Sequence, residues 1–264
     1  MRRDPSARRG KTENRRLTTR LEKMPSLYQR HQTSTTAARG CRSIFVVAVA
    51  FVFLGVLTAR AQDASIERLL KKLPPPETLV TRPPAIPADQ LEVLNDSLTT
   101  RIGTTCAYGN WMAARSYAER LAQAHPNNPW VHCIRGQVAV QATRFSEAAA
   151  AFNQALKVRP KFSYAHLQLG SVEVVQQHFA TAIPYFKKYV ELEPNEPIGW
   201  VFLSGCNEKL GRGKECLEYA KRGIATGPQY PGTWLQLAHA ENAVGHPDNA
   251  KRALAKAEQL MRSR

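Results

Sequence analysis

The sequence predicts an all-α solenoid of five stacked helix pairs, and three regularities carry that expectation. Pro126, Pro160, Pro194 and Pro228 stand 34 residues apart, and five units of that length fill 95–264 without remainder. Small residues recur at fixed places: Gly136, Gly170, Ser204 and Ala238 at the eighth position, Gly109, Gly211 and Gly245 at the fifteenth, and Ala114, Ala148, Ala182, Cys216 and Ala250 at the twentieth. Large residues recur between them: Trp111, Phe145 and Phe179 at the seventeenth, Phe152 and Phe186 at the twenty-fourth, Trp200 and Trp234 at the fourth. Each unit therefore reads as two antiparallel helices that touch at the small positions and are wedged by the large ones. A proline that cannot extend the second helix closes the unit. One such pair cannot bury its apolar face alone, so successive pairs must stack.

The clearest stretches are GNWMAARSYAERLAQAHP, TRFSEAAAAFNQALKVRP and LGSVEVVQQHFATAIPYFKKYVELEP. Over 95–264 the chain resembles tetratricopeptide-repeat (TPR) proteins. That resemblance implies a right-handed solenoid in a domain spanning 88–264, with repeats 95–128, 129–162, 163–196, 197–230 and 231–264. It departs from the family pattern at Arg101-Ile102 in the first repeat and at Gly213, Ala220 and Gly223 in the fourth.

The resemblance also implies an interaction scaffold that takes peptides or partner domains in a concave groove lined by the first helix of each repeat. The positions that face the groove in the family include Trp130, Ile134, Val140, Tyr164, Leu167, Val174, Val175, Ile198, Val201 and Phe202 in repeats two to four. This is an apolar groove for a protein or peptide partner; the alternative is that these side chains pack against the chain's own helices. A clamp for a C-terminal carboxylate is not expected, because its positions hold Cys133, Gln137, Gln168, Ile198 and Phe202.

Ahead of the repeats, Ile44 to Leu57 form an uncharged apolar run after Arg39 and Arg42, followed by Ala59-Arg60-Ala61. This is the pattern of a secretory signal over 1–61, with Met24 as a suspected true start and cleavage after Ala61. Such a run rises roughly 21 to 24 Å as a helix, short of the ~30 Å hydrocarbon core. The expected location is periplasmic or secreted, with membrane contact only during export; the alternative is an uncleaved signal anchor. In 62–73, Ile66, Leu69, Leu70 and Leu73 form one narrow helical stripe. Six prolines in 74–87 then make an extended spacer of about 40 Å. That reach lets the stripe plug the chain's own groove or a second copy's; a membrane surface and the first repeat are the alternative seats.

The net charge of +16 suggests nucleic acid, but 13 of the 37 basic and 3 of the 21 acidic residues lie in 1–61, leaving 24 against 18. No nucleic-acid partner is expected. With 15 Gly and 17 Pro, collagen and most low-complexity architectures are excluded. His132 and His166 share the fourth position with Trp200 and Trp234, so they read as flat side chains in that slot rather than metal ligands. No metal, cofactor or catalytic motif is expected, and the chain reads as a non-enzyme. Cys206 and Cys216 flank the turn of repeat four and are the one pair placed for a disulfide; Cys106 and Cys133 are too far apart along the axis. The combined reading is an exported TPR scaffold for a protein or peptide partner in envelope assembly, with homo-oligomerisation left open. A wall- or polysaccharide-binding accessory, drawn from the mature charge and the aromatic edges Trp130 and Tyr164, is the alternative.

Overall fold

The computed structural model describes residues 70–79 and 88–263. The expected signal, most of the 62–73 helix and residues 80–87 of the linker lie outside the described residues. Among the described residues a 3-10 turn, Pro76–Leu79, standing where an extended spacer was expected, precedes eleven helices: α1 (Ala88–Leu94), α2 (Ser97–Ala107), α3 (Trp111–Ala124), α4 (Pro129–Gln141), α5 (Phe145–Val158), α6 (Ser163–Val175), α7 (Phe179–Leu192), α8 (Pro197–Lys209), α9 (Gly213–Thr226), α10 (Pro231–Ala243) and α11 (Pro247–Arg262). No strand occurs among the described residues. From α2 onward the helices pack in antiparallel pairs, and each second helix packs on the first helix of the next pair. The all-α solenoid of five repeats is what the 34-residue period predicts.

Local chemistry sets the helix ends. The Asp96, Asn110 and Asn128 side chains accept hydrogen bonds from the backbone N–H groups of Leu98, Ala113 and Trp130, and proline opens α4, α8, α10 and α11. Between the two helices of each repeat, the N–H of the sixteenth residue returns to the carbonyl of the eleventh. The pairs are Asn110 to Thr105, Arg144 to Ala139, His178 to Glu173, Arg212 to Asn207 and His246 to Glu241, at 2.8–2.9 Å. This geometry needs a left-handed residue at position fifteen, and Gly109, Gly211 and Gly245 supply it with φ of 68°, 70° and 83°. Thr143 and Gln177 adopt the same conformation at 58° and 64°, where a side chain is strained.

The eighth and twenty-fourth positions compensate one another. A Cβ on Gly136 would lie 2.5 Å from the Phe152 ring, and one on Gly170 would lie 2.6 Å from Phe186. In the first repeat the sizes reverse, with Ile102 and Ala118 buried in one cluster. Ala238 with Leu254 follow the same rule in the fifth, whereas the fourth repeat has two small buried residues, Ser204 and Ala220, and departs from it. The fourth position joins one repeat to its predecessor. Trp200 and Trp234 donate their indole N–H to the carbonyls of Pro194 and Pro228 at 3.2 and 2.7 Å. His132 and His166 repeat the contact, each with Nε2 at 3.3 and 3.4 Å from the Pro126 and Pro160 carbonyls. Donation to a carbonyl fixes the Nε2–H tautomer, leaving the buried Nδ1 atoms of both without a partner. Burial holds both imidazoles below the ordinary histidine range.

Candidate binding groove

The first helices α2, α4, α6, α8 and α10 form the inner layer, and residues that precede the repeats cover both ends of it. At one end α1 lies on α2 and α4. Its Asp89 is held three ways: the backbone carbonyl accepts from the Asn128 amide at 2.8 Å, one carboxylate oxygen from the Trp130 indole at 3.4 Å, and the other from Arg159 at 2.6 Å. Burial opposes ionisation of Asp89, but Arg159 and the indole outweigh it and hold the carboxyl below its ordinary range. The Thr99 hydroxyl donates to the Val93 carbonyl at 2.6 Å, and Val93 enters the core of the first repeat. A cavity remains under α1, lined by Val93, Ile102, Cys106, Cys133, Ile134 and Gln137.

At the other end, Leu70 is 4% exposed and shares a cluster with Leu235 and Ala238 of α10 and Leu254 of α11; Leu73 packs against it. Prolines 74 to 76 then lead into the turn Pro76–Leu79, which crosses α10 and α8. There Glu77 is 7% exposed and its Oε1 has no hydrogen-bond partner. Burial pushes its carboxyl up to about 7, a shift that His239 and Lys209 oppose and Glu208 reinforces. An orphaned buried carboxyl oxygen costs about 1–3 kcal/mol. Beside it, Glu208 Oε1 lies 3.3 Å from His239 Nδ1, and the Gln236 amide donates to the Ser204 hydroxyl at 3.0 Å and to Glu208 Oε2 at 3.5 Å. Burial acts against ionisation of Glu208 too, yet His239, Lys209 and Gln236 hold it below the ordinary range.

The residues expected in the groove divide. Ile134, Leu167 and Ile198 are half-buried on the first helices. Trp130 is also half-buried, but it is engaged by Asp89, meets Phe162 edge-on at 4.8 Å and lies 5.1 Å from the Tyr164 ring, whose hydroxyl accepts from Gln137. Val201 and Phe202, 1% and 4% exposed, are core residues, contrary to the sequence reading. Gly199 brings α8 so close to α7 that a Cβ there would meet Tyr189 and Val190 at 2.5 Å, and Phe202 stacks on Phe186 at 4.6 Å. This approach turns the fifth and sixth positions of repeat four inward. Cys206 and Cys216 are separate free thiols rather than a bridge. Cys206 lies in the cluster around Phe186 and Phe202, whereas Cys216 packs with Ala220 and Ala240 and lies 3.4 Å from the Ser204 hydroxyl. Glu77, Asp89, Glu208, Gln236 and His239 escaped the sequence reading. The family's groove positions, extended to repeats four and five, contain Glu208, Gln236 and His239 and were the available signal.

These features define a helical-repeat solenoid whose last repeats carry the chain's own residues 70–79. The tetratricopeptide repeat family model matches residues 133–197, inside repeats two to four. Solved structures with the same fold include MamA 41-end from Desulfovibrio magneticus RS-1, at 17% identity and a TM-score of 0.55, covering 68% of this chain and 99% of that one. PilW, described as a widely conserved type IV pilus biogenesis factor, aligns at 20% identity and a TM-score of 0.55, covering 62% and 76%. YrrB, described as a TPR protein with an unusual peptide-binding site, aligns at 17% identity and a TM-score of 0.50, covering 67% and 94%. Comparison with curated protein sequences gives no significant match. Residues 133–197 are thus matched as tetratricopeptide repeats, and the helix pairs on either side continue the same fold. Among the described residues no helix is long and apolar enough to cross a membrane.

Proposed function

We propose that this protein is a non-catalytic scaffold that holds an extended segment of a partner protein on its inner face, beyond a membrane and in envelope assembly. One observation carries the reading: the end of the solenoid already seats a proline-containing peptide segment of the chain's own, with Leu70 on α10 and α11 and the turn Pro76–Leu79 on α10 and α8. The apolar run at 44–57 and the Ala-x-Ala that follows support export, and the likeness to PilW supports an envelope role by analogy. The polysaccharide alternative required Trp130 and Tyr164 as open aromatic edges. Those rings are taken up by Asp89, Phe162, Gln137 and each other, so a protein partner is favoured.

The test uses the full chain with a photo-crosslinking residue at Ile198 or Leu167 on the inner helices, or at exposed Lys188 on α7. One defined protein adduct from the two inner positions, lacking at Lys188, is the expected result. Equal adducts at all three positions, or none at any, would overturn the proposal.

A further inference from the structure

A strap whose only task was to hold the repeats together would not carry a carboxyl where Glu77 sits. Leu70 and Leu73 anchor residues 70–79 by apolar burial, and the prolines restrict the backbone of the undocked segment, which reduces the entropy lost on docking. Glu77 works in the opposite direction. It faces Cys206, Glu208 and Lys209 of α8 and His239 of α10, with Oε1 unpartnered. The apolar anchors favour docking and the buried carboxyl opposes it. The tether through residues 80–87 to α1 keeps it at high effective concentration over its seat.

Resting on the reading of the inner face as the working surface, we infer that residues 70–79 are a built-in occupant of a peptide site formed by α8, α10 and α11. The partner segment that displaces it carries the same pattern: leucine-type anchors at i and i+3, a proline run, and a neutral hydrogen-bonding side chain where Glu77 stands. A neutral group there keeps the apolar contacts without bringing a second acid beside Glu208. Because docking raises the Glu77 pKa from 4.5 to about 7, self-docking is complete below the free value and weakens as pH rises through the docked one. Linkage puts the loss of self-docking between pH 5 and pH 8 on the order of 50-fold. The site opens on the alkaline side.

The probe is a fluorescein-labelled peptide with the sequence of residues 66–81 and Gln in place of Glu77, titrated into the full chain by fluorescence anisotropy. In the wild-type chain its affinity should rise tenfold or more from pH 5 to pH 8. In the Glu77→Gln chain it should stay weak and flat, because the tethered segment no longer ionises. The Leu70→Asp, Leu73→Asp chain should bind the probe at least tenfold more tightly than wild type at pH 5. A rise shared by wild type and Glu77→Gln would assign the effect to His239 and overturn the role of Glu77. Equal binding by all three chains, or binding by none, would overturn the inference outright. Probe binding without any crosslinked partner at Ile198 retires the proposed function alone; a partner captured equally with and without the leucine anchors retires this inference alone.

Discussion

Substituting Gly170 with alanine sets two known effects against each other. In an exposed helix interior, alanine in place of glycine stabilises by about 1 kcal/mol. At Gly170 the new methyl would lie 2.6, 2.8 and 2.9 Å from three Phe186 ring carbons, whereas carbon atoms pack at roughly 3.5–4.0 Å. The ring must therefore retreat by about 1 Å. It has nowhere to go, because Phe186 is fully buried and stacked on Phe202 with an interplanar angle of 4°. Overpacking of this kind costs about 1–3 kcal/mol, so the clash outweighs the propensity gain and Gly170→Ala should destabilise by roughly 1–2 kcal/mol. Urea unfolding followed by far-UV circular dichroism measures it. Phe186→Leu in the Gly170→Ala background supplies the missing space, and the double-mutant cycle should show a favourable coupling of about 1 kcal/mol. A Gly170→Ala chain as stable as wild type, or a cycle without coupling, would refute the size-compensation argument.

Gln177→Gly should stabilise by about 0.5–1 kcal/mol by relieving the left-handed side chain, while Gly211→Ala should destabilise by about 1 kcal/mol; urea midpoints compare them. His132→Trp and His166→Trp should each raise stability by about 1 kcal/mol, since the indole keeps the proline contact and removes an orphaned Nδ1. Both imidazoles are held below 6.5 in the fold, so their contribution is present above that value and is lost as pH falls below it; thermal melts from pH 7.5 to 5 should decline less steeply in the double tryptophan variant. Burial pushes the Cys206 and Cys216 thiols up to about 12, so both should resist alkylation at pH 7.5 until urea is added, and non-reducing peptide mapping should recover them unpaired.

Much of the fold was visible because a packing rule that repeats leaves a period. The apparent departure at Ile102 was harder to read, because the constraint acts on the sum of two positions. Gly136 against Phe152 and Ile102 against Ala118 are two solutions of one volume. The site was less legible for a different reason. Whether Val201 and Phe202 face a groove depends on how closely α8 approaches α7, and Gly199, rather than those residues themselves, decides that. The leucine stripe and prolines suggested a segment able to dock, but its seat depends on the α10–α11 surface and on the polar cluster of Glu208, Gln236 and His239. No local pattern around Leu70 encodes that destination.

The seating of Leu70 beside Leu235 and Leu254 also changes the order in which the molecule can assemble. A repeat array normally folds through contacts between sequence neighbours, starting anywhere and spreading. Here one contact joins opposite ends of the described chain, closing a large loop whose entropic cost is offset only when that contact forms. The ribosome makes residues 70–79 before any repeat, yet their seat is complete only after α10 and α11 exist. Every nascent chain therefore passes through an interval in which four repeats are present and the leucines at the front have no home. In that interval the segment is available to whatever accompanies the chain, and its withdrawal onto α10 marks the completion of the fifth repeat.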